Sequence, residues 1–128
     1  MTTQQRFQTE IEFTLPKGFV DDAGELHRNG VMRLATAADE ILPLRDPRVQ
    51  QNEAYFAVIV LSRVIVQLGS LVDIHPGVIE GLYASDLSFL QNLYERFNSN
   101  EPMDSSTTEQ KSYSEPKENR MANLLGEA

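Results

Sequence analysis

The sequence predicts an α+β fold: a small N-terminal antiparallel β-hairpin sheet packed on a mainly α-helical core, with a disordered C-terminal tail. Three observations carry that prediction. Residues 8–15 (QTEIEFTL) alternate apolar and polar side chains, the period of a half-buried strand. Residues 53–68 (EAYFAVIVLSRVIVQL) form a long apolar run bounded by Asn52 and Gly69. After Asn98 apolar residues become sparse. The 128 residues suit one domain, and the 41% hydrophobic share is below the about 45–50% usual for globular chains. That deficit fits a core diluted by a polar segment. The expected organisation is a flexible N-terminus over residues 1–9, a compact domain over 10–98 and a disordered acidic tail over 99–128.

The first strand is expected to stop at Pro16 and Gly18, which break extended structure. Two turn signals come next, at residues 21–24 (DDAG) and at Asn29-Gly30, the latter the strongest short hairpin signal. Residues 31–35 (VMRLA) then read as a second strand or extended segment. A two- or three-stranded sheet of this size is marginal alone and must lie on something apolar. Thr36 can cap a short helix, with Asp39 at its third position and Asp39 and Glu40 suiting the positive end of the dipole. Pro43 and Pro47 restrict the residues after that helix to short turns.

Residues 53–68 compete between strand and helix, being rich in Val and Ile. Length, a cap at Asn52 and a left-handed glycine at Gly69 favour a buried helix, the expected centre of the core. Pro76-Gly77 opens a short helix over residues 78–83. Ser85 can cap the next helix, residues 86–97, where Leu87, Leu90, Leu93, Tyr94 and Phe97 form an amphipathic stripe. Residues 99–119 are too polar to offset ordering entropy, and residues 120–128 (RMANLLGEA) recover a short apolar motif in Met121, Leu124 and Leu125.

Several function classes are disfavoured by chemistry. A net charge of −8 argues against a sequence-independent nucleic-acid binder, which needs clustered cations. The chain has no cysteine, so no thiol nucleophile, disulfide framework or thiolate metal site is expected. Residues 1–9 lack the basic-then-apolar pattern of a secretory signal. The apolar run over 54–71 is interrupted by Ser62, Arg63 and Gln67, so membrane insertion is not expected and cytoplasmic residence is the simplest reading.

No cofactor or metal is expected either. His27 and His75 are too few for a three-ligand zinc site unless carboxylates join them, as Asp73 could join His75 in an extended segment. Asp21-Asp22 and Asp39-Glu40 are candidate carboxylate pairs, yet turns and a helix start already account for acids there. Ser62 and Ser70 lie outside any nucleophile-elbow setting, and no phosphate-cradling glycine loop is present. A small acidic domain without ligand clusters reads as a non-enzymatic interaction protein.

The order of segments is itself informative. Leu15-Pro16-Lys17-Gly18 is succeeded by a turn and by residues 30–41 (GVMRLATAADEI), then the apolar run, then residues 76–82 (PGVIEGL), then Asp86-Leu87-Ser88-Phe89-Leu90. Over about residues 10–98 this resembles small tail-assembly proteins of contractile-tailed bacteriophages and phage-tail-like contractile injection systems. It is similar to their baseplate-hub or tail-assembly chaperone type, which shares an LP-KG strand end, an R-L-x-T-x-x-(D/E)-E segment and a D-x-x-x-L helix. Thr36, Asp39, Glu40 and Asp86 are the matched polar positions. The resemblance implies no catalytic residue. It implies cytoplasmic work during assembly, with a tape-measure or baseplate-hub protein as partner, whose apolar helices a chaperone would shield.

The expected function is therefore a tail or baseplate assembly chaperone, with a permanent baseplate or tube component as the alternative and a small enzyme as a third reading. An apolar groove between the 53–68 and 86–97 helices is the expected docking site, with Tyr55, Phe56 and Phe89 as lining residues and Met121, Leu124 and Leu125 as a second contact. Deletion of residues 99–128 is expected to leave the thermal unfolding transition nearly intact; a large loss of cooperativity in calorimetry would move the domain boundary.

Overall fold

The structure, a computed structural model, describes residues 8–100. Its three-stranded antiparallel sheet has the order β1-β2-β3, with β1 at Glu10–Val20, β2 at Leu26–Arg33 and β3 at Ile65–Leu68. The helices are α1 (Ala37–Ile41), α2 (Pro47–Gln51), α3 (Tyr55–Val64), α4 (Pro76–Glu80) and α5 (Ala84–Phe97), with a 3₁₀ turn at Leu42–Arg45. This is the α+β arrangement expected, with corrections to individual elements.

The first strand does not stop at Pro16. It runs on to Val20, and the Pro16–Gly18 stretch becomes an irregularity in the pairing between Thr14 and Phe19. β1 is an edge strand, where a proline is tolerated. Gly18 has φ +107°, and a Cβ there would lie 2.7 Å from Leu26 Cδ1, so no other residue fits without strain. The bulge is held from α5. The Asp86 carboxylate, fully buried, accepts the Lys17 N–H at 2.9 Å and the Gly18 N–H at 2.7 Å.

The hairpin turn is at residues 21–24, where Gly24 N–H donates to Asp21 O and Asp21 Oδ1 accepts the Ala23 and Glu25 N–H groups. Asn29-Gly30 is not the turn. It lies inside β2, where Asn29 Oδ1 accepts the Thr14 hydroxyl and Gly30 faces the Phe13 ring. A Cβ at Gly30 would sit 2.4 Å from Phe13 Cζ. The glycine serves aromatic packing rather than chain reversal.

The expected helix over 53–68 is two elements. Ten residues are helical, and the last four cross to become β3, with Gly30↔Leu68, Val31↔Gln67 and Met32↔Ile65 as partners. The β-branched pair Ile65-Val66 suits a strand, and β2 offers an unpaired edge. Gly69 has the left-handed φ expected of it (61°), but it comes after a strand. Asn52 Oδ1 accepts the Ala54 N–H, one residue before the helix. Two further boundaries shift. α4 begins at Pro76 with His75 as its cap, and α5 begins at Ala84 after Tyr83, so Ser85 is not the cap.

The core gathers around α3. Phe56, Val60, Leu61 and Val64 share one buried cluster with Leu15 and Met32 of the sheet and Leu90 and Tyr94 of α5. α5 lies along β1, and Phe89 meets Phe13 edge-on with ring centroids 6.5 Å apart. The opposite face of the sheet carries Glu12, Thr14, Asn29, Val31 and Gln67 around an open depression of about 790 Å³. No helix among the described residues is long and apolar enough to cross a membrane. The disordered tail expected over 99–128, and most of the flexible N-terminus over 1–9, lie outside the described residues.

Replacing Asp86 by Ala orphans two backbone donors and should cost about 2–4 kcal/mol. In a domain of this size that lowers Tm by about 10 °C or more, read by circular dichroism. Lys17→Ala is the control, because only the Lys17 backbone touches Asp86, and it should stay within about 0.5 kcal/mol of wild type. Equal Tm for Asp86→Ala and wild type would refute the carboxylate's role in the bulge.

Candidate functional site

The densest polar network begins at Asp39. Its carboxylate is 1% exposed and lies between two arginines: Arg33 donates to both oxygens at 2.8 and 3.0 Å, and Arg63 Nε donates to Oδ1 at 2.9 Å. Thr36 N–H donates to Asp39 Oδ2 at 2.7 Å, the reciprocal half of a capping box. Arg33 also reaches the Arg63 carbonyl at 2.9 Å and the Leu34 carbonyl at 3.0 Å. The hydrogen bonds from Arg33, foremost, then from Thr36 and Arg63, hold the Asp39 carboxyl well below the usual carboxylate range against the cost of burial.

This arrangement reverses the polarity of α1. An ordinary surface helix buries its apolar face. Here the two acids face the protein: Asp39 is buried, and Glu40 accepts a hydrogen bond from the buried Tyr94 hydroxyl. The outward residues are Ala37, Ala38 and Ile41, continued by Leu42 and Leu44 of the 3₁₀ turn. Ile41 is 54% exposed, Leu42 41% and Leu44 46%, while Pro43 between them is buried and fixes the turn. Covering each of the three large side chains would return on the order of 1 kcal/mol, since each is about half exposed. Residues 37–44 are thus an apolar platform on a rigid polar mount.

The expected groove residues are placed differently. Phe56 is 1% exposed and belongs to the core, which removes it from any docking surface. Phe89 is half-buried against Phe13. Tyr55 is half-buried, with its hydroxyl donating to Glu80 and Arg48 over its ring at 5.3 Å. Arg48 in turn forks onto Asp46, the cap of α2. Met121, Leu124 and Leu125 lie outside the described residues.

The carboxylate and histidine candidates hold backbone together. Asp21 Oδ2 and His27 Nε2 lie 2.8 Å apart in a hydrogen bond, and the Ser70 N–H donates to Nδ1 of the buried His27 ring. These bonds, that from His27 foremost, pull the Asp21 carboxyl below its ordinary value. Glu25 completes a triad of possible ligand atoms within 4.8 Å, but Asp21 and His27 are already engaged in holding the hairpin turn. His75 is 48 positions from His27 in the chain and caps α4. Asp73 and His75 belong to no group of three possible ligands among the described residues.

The platform was only half legible in the sequence. Its signal was present, because Ala38, Ile41 and Leu42 stand at helical spacing. Which face of so short a helix points inward depends on Arg33 and Arg63, and Arg63 is remote in sequence.

Asp39 links stability to pH. Its folded pKa is depressed, so its contribution is complete above the unfolded value of about 4 and is lost as pH falls through the folded value. Asp39→Asn should therefore be destabilised at neutral pH, by about 3 kcal/mol, the low end for breaking a buried pair because both arginines are a third exposed. It should also lose less stability than wild type on acidification from about pH 5 to about pH 2. Urea titrations across that range check it, and parallel curves would show that Asp39 is not the linked group. Comparisons with protein-family models, with curated proteins and with solved structures found no match for the chain.

Proposed function

We propose that the protein is a non-enzymatic assembly chaperone of a contractile tail or injection particle, acting in the cytoplasm before the particle closes. Its docking face is the platform over residues 37–44, and its occupant is an amphipathic helix of a tape-measure or baseplate-hub protein. The observation that carries this reading is the reversed polarity of α1, with acids inward and Ala37, Ala38, Ile41 and Leu42 outward. A helix laid against such a ridge by apolar anchors at spacings of three and four is a common recognition mode.

A further point supports it. The segments that carry the resemblance to tail-assembly proteins work on one another: the Lys17-Gly18 bulge is bound by Asp86, and Arg33, Thr36 and Asp39 form the mount of the platform.

The test is co-expression with tape-measure and baseplate-hub proteins of contractile tails. Ile41→Asp with Leu42→Asp should weaken co-purification at least about tenfold, as loss of central apolar anchors does. Its urea midpoint should stay near that of wild type, since both residues are exposed. Undiminished capture would overturn the platform as the docking face. The finished particle separates the two structural roles: a chaperone is missing from it, whereas the protein at fixed stoichiometry in purified particles would make it a permanent baseplate or tube component.

A further inference from the structure

We infer that the apolar motif of Met121, Leu124 and Leu125 docks on the platform over residues 37–44 of the same chain, so that the protein covers its own docking face until a partner displaces the motif. The described chain ends close to that platform. Asn98 Oδ1 accepts the Ala35 N–H at 2.9 Å, and Tyr94, one turn earlier, donates to Glu40. The chain therefore leaves α5 beside the start of α1. Twenty residues, 101–120, separate Asn100 from Met121. A random chain of that length has an r.m.s. span of about 25 Å. The platform extends only about 12 Å from Thr36 to Leu44 at helical rise. A tether of this length supplies an effective concentration of about millimolar, enough for a weak apolar motif to occupy a nearby site.

The chemistry matches as well. Met121, Leu124 and Leu125 stand at the spacing of one helical face, and Ala37 and Ala38 leave room for an approaching helix beside Ile41 and Leu42. Residues 101–128 carry six acidic against three basic side chains. The exposed Arg45 at the far rim of the platform is in no ion pair among the described residues. The other exposed apolar pair on an element, Val20 and Leu26, is less accessible to the motif. It lies at the hairpin end of β2, eight residues from Leu34 and so about 26 Å from the chain's exit.

The inference shares its surface with the function proposed above but is measured with no partner present, so each can fail without the other. The chain has no cysteine, so a nitroxide on Gly126→Cys in the full-length protein labels one site. The amides of Ala38, Ile41, Leu42 and Arg45 should lose most of their peak height in the oxidised state, while Leu26 keeps its own. The loss should persist on dilution and should vanish when Leu124→Ser and Leu125→Ser are added. Nitroxide chains mixed with unlabelled isotopic chains should give none. Broadening in that mixture would assign the platform to a second copy. Broadening centred on Leu26, or none anywhere, would leave the platform to external partners alone. Each of these three results overturns the inference.

Discussion

The carboxylate of Asp39 between Arg33 and Arg63 is the junction at which three elements meet. Arg33 closes β2, Asp39 sits in the first turn of α1, and Arg63 stands at the end of α3. Arg33 does a second task, donating to the Arg63 carbonyl where α3 has no further helical turn to supply an N–H. A cation at a helix C-terminus is also favoured by the dipole. The same side chain thus ends the helix, binds the acid that starts α1, and leaves the residues after Val64 free to join the sheet. Val64 is the last helical residue and Ile65 pairs with Met32, one position from Arg33.

That junction explains why the apolar middle of the chain is not one rod. As a helix to Leu68 it would leave β2 with a bare edge and the Arg63 carbonyl bonded within the helix. As helix then strand, the Ile65–Leu68 segment closes the sheet while Ile65 and Leu68 still enter the core. Apolar burial is retained in both arrangements, so periodicity in the sequence cannot choose between them. Long-range hydrogen bonding chooses, and its agents are Arg33 and the β2 edge, some thirty positions away.

Legibility in the sequence divides along the same line. Features set by a residue and its near neighbours were legible: the alternation of Ile11, Phe13 and Leu15, the Thr36–Asp39 start of α1, the proline-limited turns after it, and the stripe of α5. Features set by a remote partner were not. Gly18 reads as a strand breaker until Asp86 is seen holding the bulge, and Asn29-Gly30 reads as a turn until Phe13 is seen occupying the space of the missing side chain. Phe56 and Tyr55 are adjacent aromatics, and only the packing of α3 tells that one is core and the other is engaged by Arg48 and Glu80. For the platform, the spacing was visible and the direction was hidden.

The direction of α1 is the point at which local preference and global structure disagree. A helix of this composition, left to burial alone, would turn Ile41 and Leu42 inward and its acids to water. Asp39 overrides this because its ionic and backbone partners are already in place on β2, α3 and the Thr36 cap, so the charge is satisfied on arrival. Disagreements of this kind concentrate where a surface has work to do, since they persist only when the surroundings over-determine them. The cost of binding is correspondingly low. Pro43 is buried, Asp39 is clamped and Tyr94 holds Glu40, so the apolar side chains stand on backbone that has little ordering left to lose when something covers them. A surface so prepared favours whatever apolar helix is nearest. The described chain ends beside that surface, where Asn98 Oδ1 accepts the Ala35 N–H.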